Sequence, residues 1–122
     1  MKHNSDFKYD LKLGVNAENK LGRILENATI EVKLDKRYKD TGNVYVEYES
    51  RGLNSGITTS QADYYAFDLN NDIYIIIKTE KLKGICRHLY KTRHKLVKKG
   101  GDSNSSVGVC VPINDIFKNI ET

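Results

Sequence analysis

One proline, two cysteines and no apolar run longer than five residues set the first limits on this chain of 122 residues. The longest such run is Ile73 to Ile77. A membrane-spanning helix needs about 20 apolar residues, so no segment is expected to cross a bilayer. The amino end, Met1-Lys2-His3-Asn4-Ser5-Asp6, lacks the apolar stretch and small-residue cleavage site of a secretory signal, which points to a cytoplasmic protein. In that setting Cys86 and Cys110 read as free thiols rather than a disulfide, although they could in principle pair. With His3, His88 and His94 they do not stand at a spacing that would complete a zinc site. The low proline count, with nine glycines, 39% hydrophobic and 30% charged residues, excludes collagen-like, low-complexity and disordered chains. One globular domain over residues 1–122 with a modest core is expected.

What is present is periodic. Residues 1–5 read as a flexible tail, and Asp6 to Leu13 as a short strand or an irregular lead-in. From Val15 to about Asn27 the pattern is helical, with Ala17, Leu21, Ile24 and Leu25 on one side and Asn19, Lys20, Arg23 and Glu26 on the other. Ala28 to Asp35 alternates as a half-buried strand, Ile30, Val32 and Leu34 against Thr29, Glu31, Lys33 and Asp35. Asn43 to Glu49 repeats the alternation after a polar connection ending in Thr41-Gly42-Asn43. Thr58-Thr59-Ser60-Gln61 offers capping residues for a short helix around Ser60 to Tyr64. Tyr65 to Leu69, a turn at residues 70–72 and Ile73 to Lys78 form a hairpin. Thr79 is a candidate cap for a helix to about Lys91 whose buried stripe is Leu82, Ile85, Cys86 and Leu89. A flexible loop over residues 100–106, a strand from Val107 to Val111 and a closing turn or helix from Pro112 to Ile120 complete the order. This is α/β, with α+β as the other possibility: a single domain with a mixed β-sheet flanked by helices.

Charge is unevenly placed. Net charge is +4, and between Glu80 and Lys99 there are eight Lys or Arg residues, two His and one acid. Glu18 lies about 20° from Leu25 around its helix, on the edge of the face expected to pack, so it either reaches solvent, pairs with a lysine or serves a metal. Glu31, Lys33 and Asp35 share one strand face at a spacing of about 6.6 Å. That face is either exposed to solvent with a surface ion pair or part of a site. Glu47 and Glu49 share a face on the next strand. Like charges gathered this closely are costly unless a divalent ion lies among them, and hard carboxylate oxygens beside an ammonium suit Mg²⁺.

Ile30-Glu31-Val32-Lys33, preceded by a helix bearing Glu18, is similar to the ExK motif of the PD-(D/E)XK nuclease superfamily, whose members include the archaeal Holliday junction resolvases. A longer pattern, Glu31-Val32-Lys33-Leu34-Asp35, Thr41-Gly42-Asn43-Val44-Tyr45-Val46-Glu47, Ser55-Gly56-Ile57, Ala62-Asp63-Tyr64-Tyr65 and Gly100-Gly101-Asp102, resembles phage-type proteins usually assigned to that superfamily and covers most of the chain. The resemblance implies a restriction-endonuclease-like core and a metal-dependent endodeoxyribonuclease, structure-selective on branched DNA in the manner of a Holliday junction resolvase, and a homodimer. It implies Mg²⁺ or Mn²⁺ held by Glu18, Glu31 and a third acid, with Lys33 orienting the attacking water or stabilising charge on the phosphate.

The superfamily also places an Asp on the strand before ExK, and here only Leu25-Glu26-Asn27-Ala28 separates the helix from that strand. Asp35 or Glu47 takes the part of the missing acid, or Glu31 does so with Glu47-Tyr48-Glu49 in place of ExK, or the chain has kept the fold and binds nucleic acid without cutting it. Asp63 supports the site or serves structure. Lys83, Arg87 and Lys91 fall on the helix face opposite the apolar stripe, and Arg93, Lys95, Lys98 and Lys99 extend the basic run. Beside a phosphodiester site these residues are expected to hold backbone phosphates of double-stranded or branched DNA; otherwise they are a solvated face. DNA and RNA are not distinguished by any of these features.

Overall fold

The computed structural model describes residues 4–70 and 72–118, with side chains described from Leu11 onward apart from residue 102. It opens with a long helix, α1, Asn4–Asn27. The sequence predicts this helix only from Val15, because residues 6–13 alternate as a strand would. Alternation without a partner strand gives the backbone no cross-strand hydrogen bonds. With no proline and no β-branched residue from Asn4 to Gly14, the segment joins the helix instead. Of the expected tail, Asn4 and Ser5 are helical and residues 1–3 lie outside the described residues. From Leu11 to Leu21 every side chain of α1 is exposed. Among the described residues no helix is long and apolar enough to cross a membrane.

The strands divide between two sheets where one mixed sheet is expected. The first has the order β1 (Ile30–Leu34), β4 (Tyr64–Asp68), β5 (Tyr74–Lys78); β1 runs parallel to β4, and β4 antiparallel to β5. The second is antiparallel, in the order β3 (Leu53–Asn54), β2 (Asn43–Ser50), β7 (Ser106–Pro112), β6 (Val97–Gly100). A single helical turn, α2 (Tyr38–Thr41), lies in the connection from β1 to β2. Helix α3 (Thr79–Thr92) packs on strands of both sheets, and α4 (Ile113–Phe117) closes against β7 and α3. Residue 71 of the hairpin turn and residues 119–120 of the closing segment lie outside the described residues.

The core forms where α3 meets the sheets. Leu82, Ile85, Cys86 and Leu89 are buried as their spacing predicts, against Val44, Val46, Tyr65, Phe67, Val109 and Val111. Each large side chain of this kind contributes about 1.5–3 kcal/mol on burial. Three local expectations change. Thr79 is the first helical residue rather than the cap, and its buried hydroxyl has no hydrogen-bond partner. The expected helix at Ser60 is replaced by a tight turn at Gly56–Thr58. The basic run does not pass straight into a flexible loop: Val97–Gly100 pairs with β7 as strand β6 before a short turn at Asp102–Asn104.

The faces of β1 are also reversed. Register pairs Glu31 with Tyr65 and Lys33 with Phe67, so the charged residues share the face that carries the core aromatics. Ile30, Val32 and Leu34 take the other face, where Val32 and Leu34 are 60% and 54% exposed.

Candidate nucleic-acid cleft

The free edge of β1 approaches β2 without pairing to it, and Asp35 joins the two at one end. Its Oδ1 accepts the N–H groups of Arg37 at 3.0 Å and Tyr38 at 2.9 Å, and its Oδ2 accepts the N–H of Tyr45 at 2.9 Å. A backbone donor on an unpaired strand edge is thereby satisfied by a side chain. Beside this junction a cleft of about 750 Å³ is lined by Lys33, Lys36 and Arg37, by Tyr45, Glu47 and Tyr65, and by Lys98 and Lys99 of β6.

The second sheet separates this cleft from α3. Tyr45 pairs with Cys110, and Glu47 and Lys98 pair with Gly108, which places these side chains on one face. The alternate residues Val44, Val46, Val109 and Val111 form the core face beneath α3. Tyr45 lies flat because two neighbours have no side chain. A Cβ at Gly108 would stand 2.7 Å from the ring and 2.6 Å from the Val46 carbonyl oxygen, and one at Gly100 would stand 3.0 Å from the ring. The Tyr45 hydroxyl shares a 2.9 Å hydrogen bond with Ser106 Oγ and donates to the Lys98 carbonyl at 3.3 Å. Burial raises its pKa, so the phenol stays neutral.

Acidic groups of the cleft are held by neighbours. Glu31 pairs with Lys33 at 3.6 Å. Glu47 Oε2 accepts the Ser55 hydroxyl at 2.7 Å, and the chain turns back here at Gly56, whose φ of 53° and close approach to the Glu47 carbonyl suit only glycine. Tyr65 is 2% exposed and its hydroxyl has no hydrogen-bond partner; Ser60 lies near without reaching bonding geometry. Burial raises the Tyr65 pKa, with the charges of Glu31 and Glu47 adding to the effect, so both carboxylates lie within electrostatic reach of that phenol.

Set against family models, curated proteins and solved structures, the chain gives no match. The cleft's own chemistry is what distinguishes it.

Of the residues expected to form a site, Lys33, Asp35, Glu47, Lys98 and Lys99 line the cleft, and Glu31 joins it through Lys33. Glu18 does not. It is exposed on α1, away from the cleft lining, so the expected convergence of Glu18 with Glu31 is not found. Asp35 serves backbone geometry through three accepted hydrogen bonds. Asp63 is likewise structural, accepting the N–H and hydroxyl of Thr29 at 3.0 and 3.1 Å and so pinning the link from α1 to β1. Among the described residues no three His, Cys, Asp or Glu side chains are grouped to hold a metal ion.

The basic run is also divided. Lys83, Arg87 and Lys91 lie along a second groove of about 480 Å³ with Tyr48 and Tyr90, on the α3 side of the second sheet. Lys83 pairs with Glu80 at 3.5 Å. Arg93 donates to Asp115 Oδ2 at 3.2 Å, and Lys118 lies 2.9 Å from Oδ1; Asp115 is buried, so Arg93 balances an interior charge. Lys95 is exposed and lines neither groove. Lys36 and Arg37, which the sequence reading passes over as a polar connection, enter the cleft because Asp35 folds their turn back toward β2. Two adjacent cations directly after an ExK strand were the available signal.

Proposed function

We propose that the cleft binds the sugar–phosphate backbone of a nucleic-acid strand. The observation that carries this reading is the convergence of Lys33, Lys36, Arg37, Lys98 and Lys99, from two distant parts of the chain, on one concavity. A concave wall with an excess of one charge sign concentrates its field on an incoming phosphate, and phosphate contacts supply affinity without reading sequence. Asp35, Glu47 and the Glu31 paired to Lys33 keep their negative charge, and the five cations still leave the cleft net positive. Binding of labelled single-stranded, duplex and four-way DNA and of RNA, followed across a salt series, tests it. Affinity should fall steeply with salt, with a slope of about −3 to −4 for four to five neutralised phosphates. Absence of binding to every probe overturns the reading.

A second reading, metal-dependent cleavage of branched DNA, is favoured by one specific arrangement: the Glu31–Lys33 pair and Glu47 beside the unpartnered Tyr65 hydroxyl. The described residues do not form a metal cage, but Mg²⁺ commonly takes only one or two carboxylates and fills its remaining positions with water and substrate phosphate. Glu31 and Glu47 are the residues that would hold it. When bound, such an ion supplies Lewis-acid polarisation of a phosphate and a more acidic water. Lys33, freed from Glu31, would then balance charge on the phosphate, while Ser55 keeps Glu47 aimed. Nicking of supercoiled plasmid, flapped and four-way DNA in Mg²⁺ or Mn²⁺ decides the matter. Lys33→Ala should abolish cutting while binding persists; a parent protein that cuts no substrate leaves binding alone as the function.

A further inference from the structure

Two apolar surfaces are left uncovered by the described residues. One is the outer face of the β1-β4-β5 sheet, where register sets out three rows: Ile30, Tyr64 and Lys78; Val32, Ala66 and Ile76; Leu34, Asp68 and Tyr74. Val32, Leu34, Tyr74 and Ile76 are 60%, 54%, 58% and 38% exposed, around a central Ala66 that is 5% exposed. The other is on α1. Leu11, Val15, Leu21 and Leu25 fall within an arc of about 120° around the helix and are 58%, 46%, 50% and 59% exposed. Glu18 is the one charge inside that arc, and Lys78 the one cation among the sheet rows.

We propose that α1 of one copy covers the outer sheet face of a second copy, reciprocally, with Glu18 meeting Lys78 of the other chain. Exposed apolar patches larger than a few hundred Å² are rare on monomers and mark interaction surfaces. Each face offers four large apolar side chains that are 38% to 60% exposed, so exchange would cover sixteen of them in all, the apolar centre that a specific protein–protein interface needs. A two-fold exchange also satisfies both surfaces at once, leaving no open end for further assembly.

Charge argues against α1 covering its own sheet. Only Ala28 and Thr29 separate α1 from β1, and Asp63 pins Thr29. A helix folding back from that point would run antiparallel to β1 and place Glu18, nine residues from Asn27, about 13 Å along it. Four strand residues cover the same length, about 13 Å, so Glu18 would reach the row of Leu34, Asp68 and Tyr74 and face a like charge. A helix from a second copy has no such constraint, and its register is free to set Glu18 beside Lys78.

The test uses the full chain. Sedimentation of the parent at micromolar concentration should give the mass of two chains. Val32→Glu, at an already exposed position, should weaken the dimer by about a hundredfold while far-ultraviolet circular dichroism stays as in the parent. Glu18→Lys and Lys78→Glu should each weaken it by about tenfold, and the two together should restore it. Oxidising a mixture of Glu18→Cys chains with Lys78→Cys chains should join two chains as a heterodimer. A monomeric parent overturns the proposal, as does a dimer indifferent to these changes. A disulfide within one chain in the double variant, or between two Glu18→Cys chains alone, assigns the helix a different partner and overturns it too. None of these readouts involves nucleic acid, so the proposal stands or falls apart from the function of the cleft.

Discussion

Two basic regions lie on opposite sides of the second sheet and differ in shape more than in charge. Lys83, Arg87 and Lys91 stand along one helix face, with Lys83 already paired to Glu80. Lys33, Lys36, Arg37, Lys98 and Lys99 surround a hollow. A lysine whose charge is already met by a neighbouring acid adds little at 0.1 M salt, where screening acts within about 10 Å, whereas five cations lining one larger cleft act on the same phosphate. A count of basic residues favours the segment around α3; their geometry favours the cleft.

The comparison breaks if removing either set has the same effect. Replacing Lys33, Lys36 and Lys98 together by Ala should weaken nucleic-acid binding by about a hundredfold near 0.1 M salt and flatten the salt slope by about 2 on single strands or 3 on duplex, as measured by fluorescence anisotropy. Arg93 sharpens the contrast, because it belongs to the basic run yet serves the interior. Arg93→Ala should cost about 2–3 kcal/mol in chemical denaturation, since Asp115 keeps only Lys118, and should leave affinity unchanged. The α3 triple, Lys83, Arg87 and Lys91 to Ala, should change affinity by about twofold or less, with folding preserved because alanine is the best helix former and none of the three is in the core. A loss matching that of the cleft triple would place both faces in contact with nucleic acid.

A separate effect, confined to alkaline pH, concerns Cys86, which lies beneath the α3 groove. Burial pushes its thiol up to about 12 from an ordinary value of 9.0, with Arg87 only partly opposing the shift. Stability gained by keeping the thiol neutral is full below pH 9 and is lost as pH rises through the folded-state value. Between pH of about 9 and about 10, before most tyrosines titrate, unfolding free energy should fall with a slope approaching 1.4 kcal/mol per unit, and Cys86→Ala should make the fall shallower. An identical pH dependence in the variant would mean that Cys86 is not buried as described.

The parts of the fold legible in the sequence are those whose pattern and environment agree. Leu82, Ile85, Cys86 and Leu89 repeat at helical spacing and are buried together; Val44 and Val46 alternate and are buried together. Where the sequence misleads, the cause lies outside the local pattern. Residues 6–13 alternate without a strand to pair with. Ile30, Val32 and Leu34 look like a core face, yet the core aromatics of β4 stand on the side of Glu31 and Lys33. Val97–Gly100 is a strand because β7 offers it partners, which a run of lysines does not reveal. The role of Asp35 was illegible for the same reason, since one of its donors, Tyr45, lies ten residues on. Lys33 and Glu47 were found by residue type and spacing; Lys36 and Arg37 needed the turn.

The ring of Tyr45 makes three positions depend on one another as genetic partners, though not equally. At Gly100 the nearest atoms a new side chain would meet all belong to Tyr45, at 3.0 to 3.3 Å, so alanine there becomes more tolerable once Tyr45 is shortened. At Gly108 it would meet the ring and also the Val46 backbone oxygen at 2.6 Å, so no change at Tyr45 relieves it. One glycine is conditional on the tyrosine and the other absolute, and in a selection for folded variants substitutions at 45 and 100 should arise together while 108 stays fixed.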